Sequence, residues 1–220
     1  VFQAVQSNSS FLDDIKDIEI ENLNLIELLE RRKTYREYGI NPITRKEFSY
    51  LLWSTQGVKK RLTRETKAGF IDVTFRPVPS AGARHPFETF ILINNVQGFT
   101  PGLYRYLSTK HKLQALEVNL DIQDEIVKAC LGQEFLKKAA ATFIWVADSY
   151  RTRWRYGERG MRYLLLDAGH ICQNLYLAAT SINAGTCAVG AFKDAEINSL
   201  LGLDGSNLFV AYLATVGKLV

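Results

Sequence analysis

Three stretches carry side chains whose type and spacing could do chemistry. In "RRKTYREY" (31–38), Arg32, Thr34 and Arg36 alternate, so an extended chain turns two guanidinium forks and a hydroxyl toward one side. Such a set suits a phosphate monoester; the competing reading is a solvated helix C-terminus, where the helix dipole favours cations. In "PSAGARHP" (79–86), two prolines fix φ and Gly82 allows conformations closed to other residues, so a rigid segment of small side chains leaves room for something flat. An ordinary structured turn reads the same way. In "RTRWRYGERGMRY" (151–163), five arginines interleave with Trp154, Tyr156 and Tyr163. That mixture could stack on and neutralise single-stranded nucleic acid; Glu158 and the long apolar segment that follows fit a loop at a subunit interface or a pocket rim better. A further pair of chain ends, "GTCAVGAF" and "ATVGKL", contributes Gly185 and Gly190, which allow close backbone approach, and Lys218 just after Gly217.

These stretches need elements to hold them. "NLNLIELLERR" has helical spacing, and "TRKEFSYLLWSTQG" opens on a Thr44/Glu47 capping box and closes near Gly57, predicting two helices at the start. Between about 72 and 116 the pattern turns to short strands, "DVTF", "FETFILIN", "GLYRYL" and "KLQALE". Helix is expected again around 122–138, then a buried strand "ATFIWVAD" and a long helix over 160–182 with apolar residues on several faces. A helix of that kind lies at the centre of a domain or against a partner subunit. Strand "TCAVGAF", helix "DAEINSLLGL" and strand "FVAYLATVG" complete an α+β order, without internal repeats and without the βαβ alternation or GxGxxG fingerprint of a dinucleotide-binding sheet.

Composition narrows the class. The 220 residues are 47% hydrophobic, enough for one sizeable domain, expected over 21–220 with a poorly ordered segment at 1–20. A net charge of +4 is too small for a surface built throughout to follow a polyanion. Cys130, Cys172 and Cys187 form no C-x-x-C pair, which suits a reducing compartment, and the N-terminus has no signal-peptide pattern; the expected location is the cytoplasm. The charge-free run 171–192 is broken by Gln173, Asn174 and Asn183, against a membrane span, and His85, His111 and His170 show no metal-ligand spacing, so no metal is expected.

Taken together and in this order, from about Leu28 to Lys218, these stretches resemble the nitroreductase family of FMN-dependent oxidoreductases, and more closely its SagB-type branch, the azoline dehydrogenases of modified-peptide biosynthesis. The resemblance implies an α+β nitroreductase-like fold, with a central mixed or antiparallel sheet flanked by helices and a long central helix at a dimer interface. It implies that Arg32, Thr34 and Arg36 match the R-x-S-x-R motif on the FMN phosphate, with threonine for serine, and that Pro79, Ser80, Ala81 and Gly82 lie along the ribityl chain and isoalloxazine. Gly190 and Ala191 would present amides to flavin N5 and O4, and Lys218 falls near a late basic residue that some members use on the phosphate.

The implied assembly is a homodimer with FMN sites shared between subunits. The implied chemistry is hydride transfer through flavin N5 in the oxidation of thiazoline or oxazoline rings, which also needs a base. Where some azoline dehydrogenases carry a Lys-Tyr pair, this chain has Arg155 and Tyr156. Arginine stays protonated, so Tyr156 is the candidate catalytic base, its phenolate favoured by the adjacent charge; an interface aromatic is the competing role. The alternative activity on the same site is an NAD(P)H-dependent nitro, quinone or flavin reductase. No added peptide-recognition domain is read in these residues, so a peptide substrate is expected to need a delivering partner protein.

Overall fold

The computed structural model describes residues 4–15, 18, 20, 23–66 and 69–220. Its centre is a seven-stranded sheet in the order β1 (Ala4–Phe11), β6 (Lys112–Leu116), β5 (Gly102–Leu107), β4 (Phe87–Ile93), β7 (Ala141–Asp148), β9 (Leu208–Lys218), β8 (Ala184–Val189). Each neighbouring pair is antiparallel. The middle strand explains the double-sided core. Along β7, Phe143, Trp145 and Ala147 face one layer while Ile144 and Val146 face the other, the period-two alternation of a strand covered on both sides.

The first layer holds α2 (Arg45–Gln56) and the 22-residue α6 (Gly160–Ser181), with Phe48, Leu51, Leu52, Leu164, Ile171 and Leu175 against the sheet. The second holds α3 (Ile122–Ala129), α4 (Phe135–Lys138) and α7 (Asp194–Leu200), through Ile126, Leu136 and Ile197. α1 (Leu25–Arg31) lies on α6. Both leading helices start on reciprocal capping boxes, Asn24 with Glu27 and, as its spacing predicts, Thr44 with Glu47.

Four elements differ from the sequence reading. Residues 60–66, too polar to read as a strand, form β2 (Lys60–Thr66), paired with β3 (Gly69–Phe75) in a separate two-stranded ribbon. Its residues are mostly exposed, so no apolar alternation marks it. The helix expected over 122–138 is two, because Leu131 and Gly132 take φ of 60° and 72°. The arginine-rich stretch expected as a loop is α5 (Ser149–Tyr156), ended by Gly157 at φ 57°. Within the segment expected to be poorly ordered, β1 pairs with β6, and Asp13 accepts a 2.6 Å hydrogen bond from Ser49 Oγ, so backbone pairing supplies what that stretch lacks in apolar pattern.

Candidate functional site

The segment after α1 runs along the outer edge of β8, where Thr34 bridges to Thr186 and the Tyr35 amide donates to the Thr186 carbonyl at 3.0 Å. Its alternation has a packing cause. Tyr35 fills the space a side chain would need at Gly185, its Cβ 2.8 Å from an ideal Cβ there, and Tyr38 fills the same space at Gly217, 2.7 Å from its ring. With these tyrosines inward, Thr34 is left exposed. Gly185 thus serves Tyr35 rather than a ligand amide, a correction to the sequence reading.

The structure brings Arg32 and Thr34 together through Tyr176 of α6. The Tyr176 hydroxyl lies 3.1 Å from Thr34 Oγ1 and accepts from the Ala188 amide at 2.9 Å, while the Arg32 guanidinium stands 5.5 Å from the ring centroid. Arg36 turns elsewhere, to the Phe135 ring at 5.9 Å and to the Cys187 thiol. Burial pushes that thiol up, with Arg36 opposing. Lys218 is engaged too. Its ammonium donates to Glu47 Oε1 at 2.5 Å and to the Ile182 carbonyl at 2.9 Å, so within this chain it serves α2 and the end of α6 rather than the phosphate motif.

The 79–86 loop is held by a residue that sequence reasoning missed. Asp167 of α6, 3% exposed, accepts from Ser80 Oγ at 2.6 Å and from the Ala81 amide at 3.2 Å, and Ser80 Oγ in turn accepts from the His85 amide at 2.9 Å. Burial raises the Asp167 pKa, partly countered by the two donors and by His170. Gly82, at φ 59°, faces the Tyr156 hydroxyl so closely that a side chain there would strike it. The loop's smallness therefore admits Tyr156 of α5, with Arg155 5.6 Å from that ring. His85 is buried, and burial together with Arg76 lowers its pKa to about 4, leaving a neutral ring. Polar breaks in the apolar run of α6 were the available signal for Asp167 and Tyr176.

Two further placements bear on function. Gly190 and Ala191 lie exposed past the end of β8, their turn braced by Gln133 Nε2 donating to the Ala191 carbonyl at 2.9 Å. In α5, Arg151 pairs with Glu88 at 2.6 Å and Asp148 at 2.9 Å, and Trp154 carries the Arg84 guanidinium 4.6 Å above its ring. Burial works to raise the Glu88 pKa, but Arg151 and Arg105 outweigh it and hold the carboxylate below its usual range. Among the described residues no group of three or more His, Cys, Asp or Glu is placed to hold a metal, and no helix is long and apolar enough to cross a membrane.

A model described as "Nitroreductase family" matches residues 29–218. The Methanocaldococcus jannaschii protein MJ1384, which carries a nitroreductase name, is 36% identical over 183 residues, 83% of this chain and 86% of that protein. The trifolitoxin-processing protein TfxB of Rhizobium leguminosarum bv. trifolii is 30% identical over 133 residues, 59% of this chain but only 36% of that longer protein. Among solved structures, one from Ralstonia eutropha JMP134 with a nitroreductase name aligns at a TM-score of 0.74 with 20% identity, over 100% of this chain and 95% of that one. A chain of the Escherichia coli microcin synthetase McbBCD complex with truncated pro-MccB17 bound aligns at 0.66 with 19% identity, over 97% and 79%. A Desulfovibrio desulfuricans structure with a nitroreductase name, in complex with FMN, aligns at 0.60 with 14% identity, over 90% and 88%. With a family match over nearly the whole chain and the expected antiparallel α+β architecture, this protein belongs to the nitroreductase family, whose members are FMN-dependent oxidoreductases.

Proposed function

We propose that the chain is an FMN-dependent oxidoreductase whose substrate class is the thiazoline or oxazoline ring of a modified peptide, as in the SagB-type branch it resembles. The observation that carries the cofactor is the meeting of the exposed Thr34 and the half-buried Arg32 at Tyr176 on the edge of β8, a hydroxyl and a guanidinium fork of the kind that suits a phosphate. Pro79, Ser80, Ala81 and Gly82 form the shelf for the ring, and the exposed turn at Gly190 and Ala191 offers it backbone donors. Bound FMN supplies the two-electron chemistry, accepting or giving a hydride at N5.

The protein's part is placement and proton handling. Asp167 fixes the shelf, and the shelf's glycine packs against the hydroxyl of Tyr156, the candidate base. Arg155 stands 5.6 Å from the centroid of that ring, a cation beside the candidate base. Asp167 and Tyr176 are nine residues apart on α6, about 14 Å, so the shelf and the phosphate end stand well separated along one helix. That separation and the exposed Met161, Leu165 and Leu166 on α6 support a homodimer in which each flavin is shared between subunits.

The peptide assignment draws on the likeness to TfxB and to the McbBCD chain, and a delivering partner belongs to the same proposal. A second reading, an NAD(P)H-dependent reductase of nitroaromatics or quinones, draws on MJ1384, whose length this chain nearly spans. The nucleic-acid reading of residues 151–163 is set aside, since Arg151 is engaged by Glu88 and Asp148 and Trp154 by Arg84. The deciding experiment begins with the visible spectrum of the purified protein, where flavin absorbance is expected. Steady-state turnover of an azoline-bearing peptide is then set against turnover of nitroaromatics with NAD(P)H. A colourless protein that takes up no FMN in excess overturns the proposal, and turnover of the nitroaromatic alone replaces it with the second reading.

A further inference from the structure

Thr34 can serve a phosphate only if its proton points outward, and Tyr176 decides whether it does. The Ala188 amide can only donate, so at 2.9 Å it takes a lone pair of the Tyr176 oxygen. The phenolic proton is then free for the other neighbour, Thr34 Oγ1 at 3.1 Å. A threonine oxygen that accepts there keeps its own proton for the solvent side, where the residue is exposed and Arg32 stands over the tyrosine ring. In the opposite order Thr34 would donate inward and turn a lone pair toward the anion. Bonds aligned head to tail in this way also strengthen one another.

We infer that Tyr176 is a positioning residue for the cofactor phosphate: anchored by the Ala188 amide, it donates to Thr34 and so commits the threonine hydroxyl to donate outward. The inference rests on the FMN reading above. No part of it requires Tyr176, 9% exposed, to touch the ligand.

The test compares FMN with riboflavin, which lacks only the phosphate, by fluorescence titration of wild type, Tyr176→Phe, Thr34→Val, Thr34→Ser and the Tyr176→Phe/Thr34→Val double variant. A hydrogen bond to a charged group corresponds to roughly tenfold in affinity. The preference for FMN over riboflavin should therefore fall about tenfold in Tyr176→Phe and in Thr34→Val. Riboflavin affinity should stay near wild type, Thr34→Ser should keep the preference, and the double variant should lose no more than Thr34→Val alone. An unchanged preference in Tyr176→Phe, an equal loss for both flavins, or additive losses in the double variant would overturn the inference. Wild type that binds neither flavin instead removes the FMN reading, a separate result. Should Tyr176→Phe fail to fold, Ala188→Pro deletes the anchoring donor on an edge strand, where proline is tolerated. It should lower the same preference, and an unchanged preference there counts equally against the inference.

Discussion

Replacing Asp167 by alanine should loosen the 79–86 loop by an amount the structure lets one work out. The carboxylate receives two donors, Ser80 Oγ and the Ala81 amide, in a site where it is 3% exposed. Leaving a buried donor unmet costs about 1–3 kcal/mol. Two such donors are orphaned, and removing a buried charge, whose cost shows in the raised Asp167 pKa, offsets part of the loss. A net destabilisation of about 2 kcal/mol is expected, which in a domain of this size lowers the melting temperature by roughly 4–8 °C. Asp167→Asn keeps one acceptor and sheds the charge, so its loss should be about half as large.

The sign of the pH dependence follows from the same carboxyl. Its folded pKa lies above its unfolded value of 3.8, so the stability it contributes is complete below about pH 4 and is lost as pH rises through the folded value. The advantage of wild type over Asp167→Asn should therefore widen in acid and narrow toward neutrality. Urea unfolding at several pH values, with and without FMN, measures both effects. A double-mutant cycle with Ser80→Ala should show coupling of at least about 0.5 kcal/mol. Strict additivity, or Asp167→Ala within about 0.5 kcal/mol of wild type, would refute the clamp.

Three other outcomes are expected. Arg32→Ala should weaken FMN binding at least tenfold more than Arg36→Ala, since Arg32 stands with Thr34 at Tyr176 while Arg36 turns to Phe135 and Cys187; flavin titration of the two single variants checks it. Lys218→Ala should leave the preference for FMN over riboflavin unchanged while destabilising the fold by about 1 kcal/mol through the loss of its half-buried pairing with Glu47, seen in a thermal melt. His85, whose pKa falls to about 4, should make wild type lose stability between about pH 6.5 and 4, by up to roughly 3 kcal/mol, as protonation becomes possible in the unfolded chain first; His85→Asn, which suits the φ of 45°, should flatten that slope in acid denaturation.

What the sequence showed and hid divides by how each part is stabilised. Strands covered on both faces, such as β7, and helices with capping boxes, such as α2, are determined by patterns within a few residues. Strand β2 is not, because it is held by backbone pairing to β3, with Thr63 donating to Asp72 at 2.8 Å, and its polar residues alternate in no apolar sense. The site motifs were legible as residue types, but their orientation was not. Lys218 reads as a late cation near a strand end, and only the fold puts Glu47, 171 residues away, beside it. Arg36 reads as the second fork of an alternating pair, and only the position of Phe135 and Cys187 turns it aside.

A signal that would have located the anchors lies in α6 itself. A helix that buries Leu164, Ala168, Ile171, Leu175 and Ala179 against a sheet has no intrinsic use for Asp167, Asn174 or Tyr176, and each such polar atom in its interior must find a partner. The sheet cannot supply one, because its own amides and carbonyls are taken by the ladder. The partners must come from backbone outside regular pairing, and they do: Asp167 takes the Ser80–Ala81 turn, Asn174 donates to the Ser54 carbonyl near the end of α2 at 2.9 Å, and Tyr176 takes Thr34 and the one-sided amide of an edge strand. The polar interruptions of the most apolar helix thus mark the height at which each irregular segment docks. The two that hold the 79–86 loop and the Thr34 segment are nine residues apart on that helix.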